Sequence, residues 1–474
     1  MKSKIPYLIF ITLGLIYILF GYGVTISNDS VTNVDQIVSL DLWSRSSHFS
    51  FHLFGIIFYL FFSKFIGLNA IASVEIMLVV FSAAAAVALY QVTLTKFNNV
   101  KQALITVTIY ALASGVFRFS CQIEYLILVP SLGLISLYFY SKGQNLIAGI
   151  FFGLGLLASP FLVLFAPIYL LFTSFKELFK KKNLIFALSL ITVYFGVNAF
   201  TYSETLTGHW SYGWEITYYS GIWSDINHLR LASIYLYGYL RSFNIIIIVL
   251  PFVLYYLYNS SKELFYVFIF TILIHVPVAI PEARYGGYQM TAYPILAISA
   301  GYFLYSFLNK YRYLTLSFLM VYAVINIYIV ASERTFFRDL KETYVKLSNK
   351  LENNSVLIIY QANKPIENLY APNLQVYGLL SDYQNEMEKN TPGFVPTDLK
   401  EIINKNDTVY LLESGVSMPD DYLKLLVSQF TKNQGAKVKG FALEKVLAIN
   451  STLQIEKLED YPLDVYKLTK IKKE

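Results

Sequence analysis

The amino-acid sequence predicts a mainly α-helical membrane protein with about eleven transmembrane helices and a small soluble α/β domain at its C-terminal end. Its 474 residues are 56% hydrophobic and only 14% charged, whereas a soluble domain has about 25% charged residues. Apolar stretches of near-spanning length recur as far as Ala331. From Ser332 onward charged residues become frequent and the apolar runs shorten, which is typical of a soluble domain.

Composition excludes several classes of protein. The net charge is +6, and no basic stripe is interleaved with aromatic residues, so membrane lipids are expected partners and nucleic acid is not. The single cysteine, Cys121, excludes an intramolecular disulfide and a multi-cysteine zinc site. The N-terminal apolar segment lacks a clean small-x-small cleavage site, so we interpret it as a retained first helix rather than a signal peptide.

The predicted spans are apolar stretches that approach the roughly 20 residues needed to cross a bilayer. They are Ile5–Tyr22, Ile71–Thr93, Ala103–Phe117, Tyr125–Tyr140, Leu146–Leu157, Phe161–Phe175, Leu184–Phe200, Phe243–Leu257, Leu264–Ile280, Met290–Phe307 and Leu314–Ala331. The further apolar segment Phe51–Ile66 contains His52 and Lys64, and we interpret it as a helix at the membrane surface, with a full span as the alternative. Pro160 interrupts helical hydrogen bonding and therefore predicts a pair of short helices around it.

The basic residues predict the orientation, because cytoplasmic loops are enriched in lysine and arginine. Lys2 and Lys4 place the N-terminus in the cytoplasm. Alternating spans then place on the same side Lys96, Lys101, Lys142, Lys176, Lys180, Lys181, Lys182, Lys262, Lys310 and Arg312. The predicted outer face carries the acidic loop after the first span, the segments Thr201–Arg230 and Pro281–Gly287, and everything after Ala331.

Two domains follow from these features. Residues 1–331 form the predicted polytopic domain, and residues 332–474 form the predicted extracytoplasmic α/β domain. In the second domain the segments SVLIIY, LQVYGLL, TVYLLES and KVLAI predict strands, and PDDYLKLLVSQFTKNQG predicts a helix with an acidic start and a glycine stop.

The loop after the first span contains the first candidate catalytic residue, Asp29, in the stretch SNDS. A carboxylate at the mouth of a membrane helix can serve as a base. An ordinary turn is the alternative, because Asn-Asp-Ser is also good turn chemistry.

Further candidates lie at the predicted outer ends of later spans. Arg118 and Glu124 occupy FRFSCQIEY, where a carboxylate is costly unless it is functional or paired in a local ion pair. Arg284 and Tyr285 lie in PEARYGGY. Arginine offers a planar fork of donors suited to phosphate, and the alternative is a snorkelling arginine beside an aromatic belt.

The outer segment SETLTGHWSYGWEITYYSGIWSDINH contains Trp210 and Trp214. Aromatic faces can stack against sugar rings, and the alternative is an aromatic segment that rests on lipid headgroups. The predicted topology places this segment, Asp29, Glu124 and Arg284 on one side of the membrane. A single site is therefore compatible with the sequence.

These motifs resemble those of polytopic glycosyltransferases of the GT-C fold, and more narrowly the protein mannosyltransferase and aminoarabinose-transferase branch. Asp29 matches an acidic residue after the first helix of that family, and Glu124 matches a second one at the start of a later helix. SSHFSFHLF, with His48 and His52, is similar to the start of a surface helix, and RYGGYQMTAYPILAISAG to a late membrane motif. The chain departs from the pattern in having one carboxylate where a pair is usual, no proline after the histidine, and Ser159 where a lysine is frequent.

The resemblance implies an enzyme that transfers a sugar, with inversion, from a polyprenyl-phosphate donor to a protein, lipid or glycan acceptor. It implies Asp29 as the base, Glu124 as the group that orients the acceptor or a cation, and Arg284 as the group that stabilises the phosphate, with Arg118 as second choice. The other expected substrate-binding residues are Tyr285, His48, His52, Trp210 and Trp214. Mg²⁺ or Mn²⁺ could take part, since relatives differ in metal dependence.

Two other functions suit a protein of this class. A lipid-linked sugar transporter or flippase would be expected to show inverted repeats and charges at mid-membrane depth. Glu75 is one of few such charges, and the candidate residues lie on one face. An envelope polysaccharide polymerase or ligase usually has a long loop between late helices, whereas the long soluble part here is C-terminal.

Overall fold

The computed structural model describes residues 4–24, 28–42, 48–177, 180–204, 236, 238–279, 288–359, 368–378, 401–402, 405–412 and 453–470. The chain divides into two compact units. Unit 1 comprises Met1–Gly23 and Asn33–Val330, and unit 2 comprises Val24–Thr32 and Ala331–Glu474. Unit 2 therefore includes Val24–Thr32, which the sequence analysis placed in the polytopic domain.

The described part of the chain is mainly helical. Its α-helices are α1 Ile5–Leu19, α2 Asn28–Val38, α3 Phe49–Ile66, α4 Ala70–Phe97, α5 Val100–Leu112, α6 Ser114–Ser120, α7 Leu128–Ser141, α8 Asn145–Ala158, α9 Lys181–Glu204, α10 Ile245–Ser260, α11 Lys262–Ala279, α12 Tyr293–Lys310 and α13 Arg312–Lys350. Single-turn or longer 3₁₀ helices cover Tyr125–Ile127, Pro160–Leu171, Phe175–Glu177 and Tyr288–Ala292. Every predicted span overlaps one of these helices, and the predicted class of a helical membrane protein with a small C-terminal sheet is confirmed.

The number of spans is a separate question. Among the described residues, five helices are long and apolar enough to cross a membrane, and α5 with α6 adds a sixth if that bent pair is one span. Other apolar helices, such as α7 and α8, are shorter than a spanning helix. The figure of about eleven spans therefore stays a prediction.

Helix α3 is the segment interpreted from the sequence as a surface helix. It is 18 residues long and apolar enough to span. However, His48 at its start contacts Ala158 at the end of α8, and Gly67 to Asn69 connect its end directly to the start of α4. Both termini of α3 therefore lie toward the end of unit 1 at which α8 ends and α4 begins, which favours the surface interpretation.

The predicted span Ala103–Phe117 is broken in the structure, since α5 and α6 meet at an angle of 65°. Such a break frees backbone groups that must find other partners inside a membrane protein. The Ser114 N–H donates to Asn326 Oδ1 at 2.9 Å, and the Ser114 hydroxyl donates to the Arg241 carbonyl at 2.9 Å. The side chain of Asn326, which is fully buried, thus replaces a lost helical hydrogen bond.

The lysine-rich segments meet at one end of unit 1. The Lys96 ammonium, at the end of α4, contacts Glu263 at 2.7 Å and the Leu171 carbonyl at 2.5 Å. Lys142, after α7, donates to Thr95 at 3.3 Å. Helices α4 and α7 therefore end, and α11 begins, at a common end. The sequence analysis placed these same lysines on one side of the membrane.

Helices α8 and α9 pack closely because glycines face α9. A Cβ at Gly149 would overlap the Ser189 hydroxyl and the Phe186 carbonyl, and one at Gly153 would lie 2.9 Å from the Cβ of Val193. Small residues four positions apart let membrane helices approach at backbone distance. The spacing of these two glycines thus determines how α9 follows α8.

Unit 2 contains a five-stranded sheet with the order β2-β1-β3-β5-β4. Its strands are β1 Val356–Ile359, β2 Gln375–Gly378, β3 Thr408–Leu412, β4 Leu453–Leu458 and β5 Val465–Lys470. Strand β1 pairs in parallel with β2 and β3, whereas β5 pairs antiparallel with β3 and β4. The sheet is mixed, as expected for an α/β domain with one hairpin.

Alternate residues of the central strands point to opposite faces of the sheet. Val356 and Ile358 join one buried core, and Leu357 and Ile359 join the other. The second core also contains Tyr344 and Leu347 of α13 and Val31 of α2. Both faces of β1 are therefore covered, which explains its continuous apolar sequence.

The structure corrects several local predictions. Asn28-Asp29-Ser30 does not form a turn but begins helix α2, because Asn, Asp and Ser also favour helix N-termini. The last predicted span ends at Ala331, yet α13 continues to Lys350, since the charged residues that follow are good helix formers. The strands β4 and β5 were not predicted. The predicted strand KVLAI and the predicted helix PDDYLKLLVSQFTKNQG lie outside the described residues.

Candidate functional site

The candidate residues that can be placed within unit 1 gather at one end of it, which we call the site end. Here α1 and α8 end and α7 begins after the 3₁₀ turn Tyr125–Ile127. The Tyr22 N–H, just after α1, donates to the Cys121 carbonyl at 3.1 Å. This bond joins the end of the first helix to the segment that contains Glu124.

Glu124 lies in an extended link between α6 and the 3₁₀ turn, and its side chain is only 8% exposed. Its N–H donates to the Gln122 carbonyl at 2.8 Å, which tightens the link. A carboxylate held at this level of burial is costly unless it is hydrogen-bonded, paired or functional. The role of Glu124 in a site stays a prediction.

Arg118 lies in the last turn of α6, close to Glu124 in sequence. Its Nε donates to Gln122 Oε1 at 3.0 Å, and its guanidinium lies 5.1 Å from the centre of the Phe119 ring. These contacts hold the guanidinium beside the link that carries Glu124. Arg118 is partly exposed, and its planar guanidinium is a group that suits an anion.

His48 connects the start of α3 to two other segments of the site end. Its ring stacks on Tyr125, with the ring centres 3.7 Å apart, and its Nδ1 lies 3.0 Å from the Ala158 carbonyl oxygen. A carbonyl only accepts, so Nδ1 carries a proton and the ring caps the C-terminus of α8.

His52 was grouped with His48 in the sequence analysis, but its surroundings differ. It is fully buried, and its Nε2 lies 3.1 Å from Asn33 Oδ1 of α2. One turn further along each helix, a Cβ at Gly55 would overlap the side chain of Ile37. His52 therefore fastens α2 to α3, and its burial favours this structural role over the predicted contact with a substrate.

The remaining predicted residues cannot be placed as side chains. Asp29 lies in the first turn of α2, one turn before Asn33, and its side chain is outside the described set. Four others lie wholly outside the described residues, namely Arg284, Tyr285, Trp210 and Trp214. Their roles stay predictions.

The sequence analysis missed three residues that the structure brings to the site end. Glu75 was noted only as a charge in an apolar segment, yet it binds the backbone after α1. Gln122 and Tyr125 flank Glu124 in the sequence and contact Arg118 and His48. The signal available in the sequence was a carboxylate near the start of a span.

A metal site is not apparent in the described part of the chain, where no group of three or more histidine, cysteine, aspartate or glutamate side chains is suitably arranged. A cation held at the site end would need ligands from a substrate or from residues outside the described ranges.

The chain has a helical membrane-protein fold of the GT-C type, similar to that of an aminoarabinose transferase, as the resemblance implied. Solved structures of ArnT from Cupriavidus metallidurans are similar along the whole chain. The apo structure matches with a TM-score of 0.55 and 12% identity over 99% of this chain and 98% of that chain. The structure bound to undecaprenyl phosphate matches with a TM-score of 0.58 and 12% identity over 99% of both chains.

Sequence comparison adds no further relative. No family model matches the chain, and no curated protein matches its sequence. The similarity is therefore one of fold, and the roles of individual residues must be argued from this chain.

Proposed function

We propose that the protein is a membrane glycosyltransferase that takes a sugar from a polyprenyl-phosphate carrier. One observation carries the proposal: a fold similar over 99% of both chains to ArnT bound to undecaprenyl phosphate. The proposal also draws on the site end, where Glu124, Arg118 and His48 lie on connected segments. A buried carboxylate on a link that also binds a guanidinium through Gln122 is suited to a reaction that needs a base or orienting group and a phosphate ligand.

In the proposed reaction the acceptor hydroxyl attacks the anomeric carbon, the bond to the carrier phosphate breaks, and the configuration inverts. Asp29 takes the proton from the hydroxyl as general base. Glu124 orients the acceptor. Arg284, with Arg118 as the second candidate, stabilises the negative charge that develops on the leaving phosphate.

The carrier explains why such a site lies at the membrane edge. Its polyprenyl chain stays in the hydrocarbon, while the sugar and phosphate reach the polar side chains. His48 and Tyr285 are proposed contacts of the donor, and Trp210 and Trp214 are proposed stacking partners of a sugar. The site is proposed to face the outer side, with the N-terminus in the cytoplasm and the C-terminal domain extracytoplasmic.

The acceptor is proposed to be a hydroxyl of a protein, lipid or glycan. A divalent cation, Mg²⁺ or Mn²⁺, could bridge Asp29 or Glu124 and the phosphate oxygens. Activity before and after treatment with a chelator, with each metal added back, decides whether the reaction depends on it.

The proposal is tested with purified protein in lipid nanodiscs supplied with a polyprenyl-phosphate sugar and candidate acceptors. Release of the polyprenyl phosphate and labelling of the acceptor are measured. Asp29→Asn should lower turnover by about 10²–10⁴-fold, the range for loss of a general base. Asp35→Asn is the matched control, because Asp35 is an exposed aspartate of the same helix α2.

Equal turnover of both variants would remove Asp29 as the base.

Arg284→Ala should raise the KM for the donor, with exposed Arg312→Ala as its control. An unchanged KM would discard the phosphate role of Arg284. If the protein moved intact donor across a vesicle membrane without transferring the sugar, it would be a flippase and not a glycosyltransferase.

A further inference from the structure

Glu75 is a charged residue that the proposed reaction does not use. It lies in the second turn of α4, a 28-residue helix that carries no other charged residue before Lys96. Acidic residues inside membrane helices are rare because their charge is costly to remove from water. A carboxylate at this position therefore calls for a specific partner.

Its partner is the backbone just after α1. The Gly23 N–H donates to Glu75 Oε1 at 2.6 Å. The other carboxylate oxygen lies 3.5 Å from the place that a Cβ of Gly21 would occupy. The carboxylate thus covers the turn by which the chain leaves α1.

This turn has a conformation that needs to be held. Gly23 has a φ of +63°, in the left-handed region that glycine adopts without a steric penalty. Glycine is also the residue with the most alternative conformations, so a fixed direction at this position needs an external contact. A hydrogen bond to an ionised carboxylate is roughly twice as strong as a neutral one.

The helix dipole of α1 does not explain why the Glu75 carboxylate lies at the end of this helix. The C-terminal end of a helix carries partial negative charge, which disfavours a nearby carboxylate. Glu75 lies at the end of α1 in spite of this effect. The hydrogen bond from the Gly23 amide is an interaction that offsets this effect.

The same short turn is held from its other side by the segment that leads to Glu124. The Tyr22 N–H donates to the Cys121 carbonyl at 3.1 Å, and Tyr22 is almost fully buried. Glu75 and the Cys121 carbonyl thus bind successive amides, those of Gly23 and Tyr22. The turn is fixed between α4 and the link that carries Glu124.

From these contacts we propose that Glu75 is a positioning residue that acts through Gly23. It accepts the Gly23 amide hydrogen and so holds the turn after α1, which the Tyr22 amide joins to the link that carries Glu124. Its role is that of a hydrogen-bond acceptor, not of a base or a metal ligand. The inference rests on the proposed function, because it assigns the turn to the positioning of the link that carries Glu124, the proposed orienting residue.

Two substitutions distinguish the role of the Glu75 carboxylate as a hydrogen-bond acceptor from the role of its negative charge. Glu75→Gln keeps a carbonyl oxygen that can accept from Gly23, whereas Glu75→Leu removes it. With a polyprenyl-phosphate sugar as donor, Glu75→Gln should keep kcat within about threefold of the wild type, while Glu75→Leu should lower kcat by about 10–100-fold with little change in the donor KM. The matched control is Glu263→Leu, which removes a carboxylate at the opposite end of unit 1 and should leave kcat unchanged.

A second measurement does not depend on activity. Hydrogen exchange of the peptide that contains Gly23 should be slow in the wild type and in Glu75→Gln, and faster in Glu75→Leu. Thermal unfolding of each variant verifies that it folds. If the wild type transfers no sugar, the proposed function fails, and exchange alone then decides whether Glu75 holds the turn.

Three results would overturn the inference. Equal exchange in all three proteins would show that Glu75 does not hold Gly23. Loss of turnover in Glu75→Gln equal to that in Glu75→Leu would show that the negative charge is required. Wild-type turnover in folded Glu75→Leu would show that the turn needs no such support.

Discussion

Replacement of Gly149 by alanine should push α8 and α9 apart. The added Cβ would overlap the Ser189 hydroxyl and the Phe186 carbonyl oxygen, and would lie 3.1 Å from the Leu190 amide nitrogen. The hydroxyl can rotate away, but the carbonyl and the amide belong to the backbone of α9. The helices must therefore separate by roughly 1 Å at this point, and overpacking of this kind costs about 1–3 kcal/mol.

The matched control is Gly196→Ala in α9. Nothing lies within 4 Å of the position that its Cβ would take. Alanine in an open helical position is more favourable than glycine by about 0.5–1 kcal/mol, so this variant should gain stability. The two single-methyl substitutions therefore have opposite expected signs.

The assay is the free energy of unfolding in mixed detergent, followed by circular dichroism as a denaturing detergent is added. Gly149→Ala should unfold at a lower denaturant fraction than the wild type, and Gly196→Ala at an equal or higher one. The double variant Gly149→Ala with Ser189→Ala tests the cause, because it removes the hydroxyl but leaves the Phe186 carbonyl. Full recovery in the double variant, or a Gly149→Ala protein as stable as the wild type, would refute the backbone contact.

Three further predictions concern single polar groups. Lys96→Met should lower the free energy of unfolding by about 1.5–3 kcal/mol, because the Leu171 carbonyl loses a charged donor, and Lys96→Arg should restore part of it. Asn326→Leu should cost about 1–3 kcal/mol, since the buried Ser114 N–H loses its acceptor, and a thermal midpoint equal to that of the wild type would contradict this contact. Burial, and then a neighbouring glutamate, raise the pKa of Asp339, so the folded chain holds this proton more tightly than the unfolded chain. Its stabilising contribution is present below the unfolded pKa and is lost as the pH rises through the folded pKa, so Asp339→Asn should reduce the fall in stability measured across that acid range.

The composition and periodicity of the sequence predict the fold class and most of the elements. Apolar runs such as Ile71–Thr93 and Leu184–Phe200 correspond to α4 and α9, because helix formation depends on neighbouring residues. The strands β1, β2 and β3 were predicted from short apolar runs, which are typical of strands in a buried sheet. Local patterns did not predict the break of the helix at Ala113, which lies within an apolar run. There the Ser114 N–H donates to Asn326, which is distant in the sequence.

The candidate site was predicted in part. Glu124 and the nearby Arg118 were singled out because a carboxylate at the edge of an apolar run is costly, and His48 was singled out through the family resemblance. Their connections were not predictable, since His48 reaches Tyr125 and Ala158 across separate helices. The two histidines of α3 have similar sequence surroundings, and only their burial separates His48 from His52.

By itself, the sequence predicted the apolar stretches that form helices, the change in composition after Ala331, and the common end at which Lys96 and Lys142 lie. These properties follow from hydrophobicity and from hydrogen bonds between near neighbours in the chain. Only the tertiary structure decided that Glu75 binds Gly23 and that Asn326 binds Ser114, contacts that span 52 and 212 positions of the chain. Such contacts depend on how the helices pack. Packing depends on close approaches between helices, such as those of the α8 glycines to α9, and not on any local pattern.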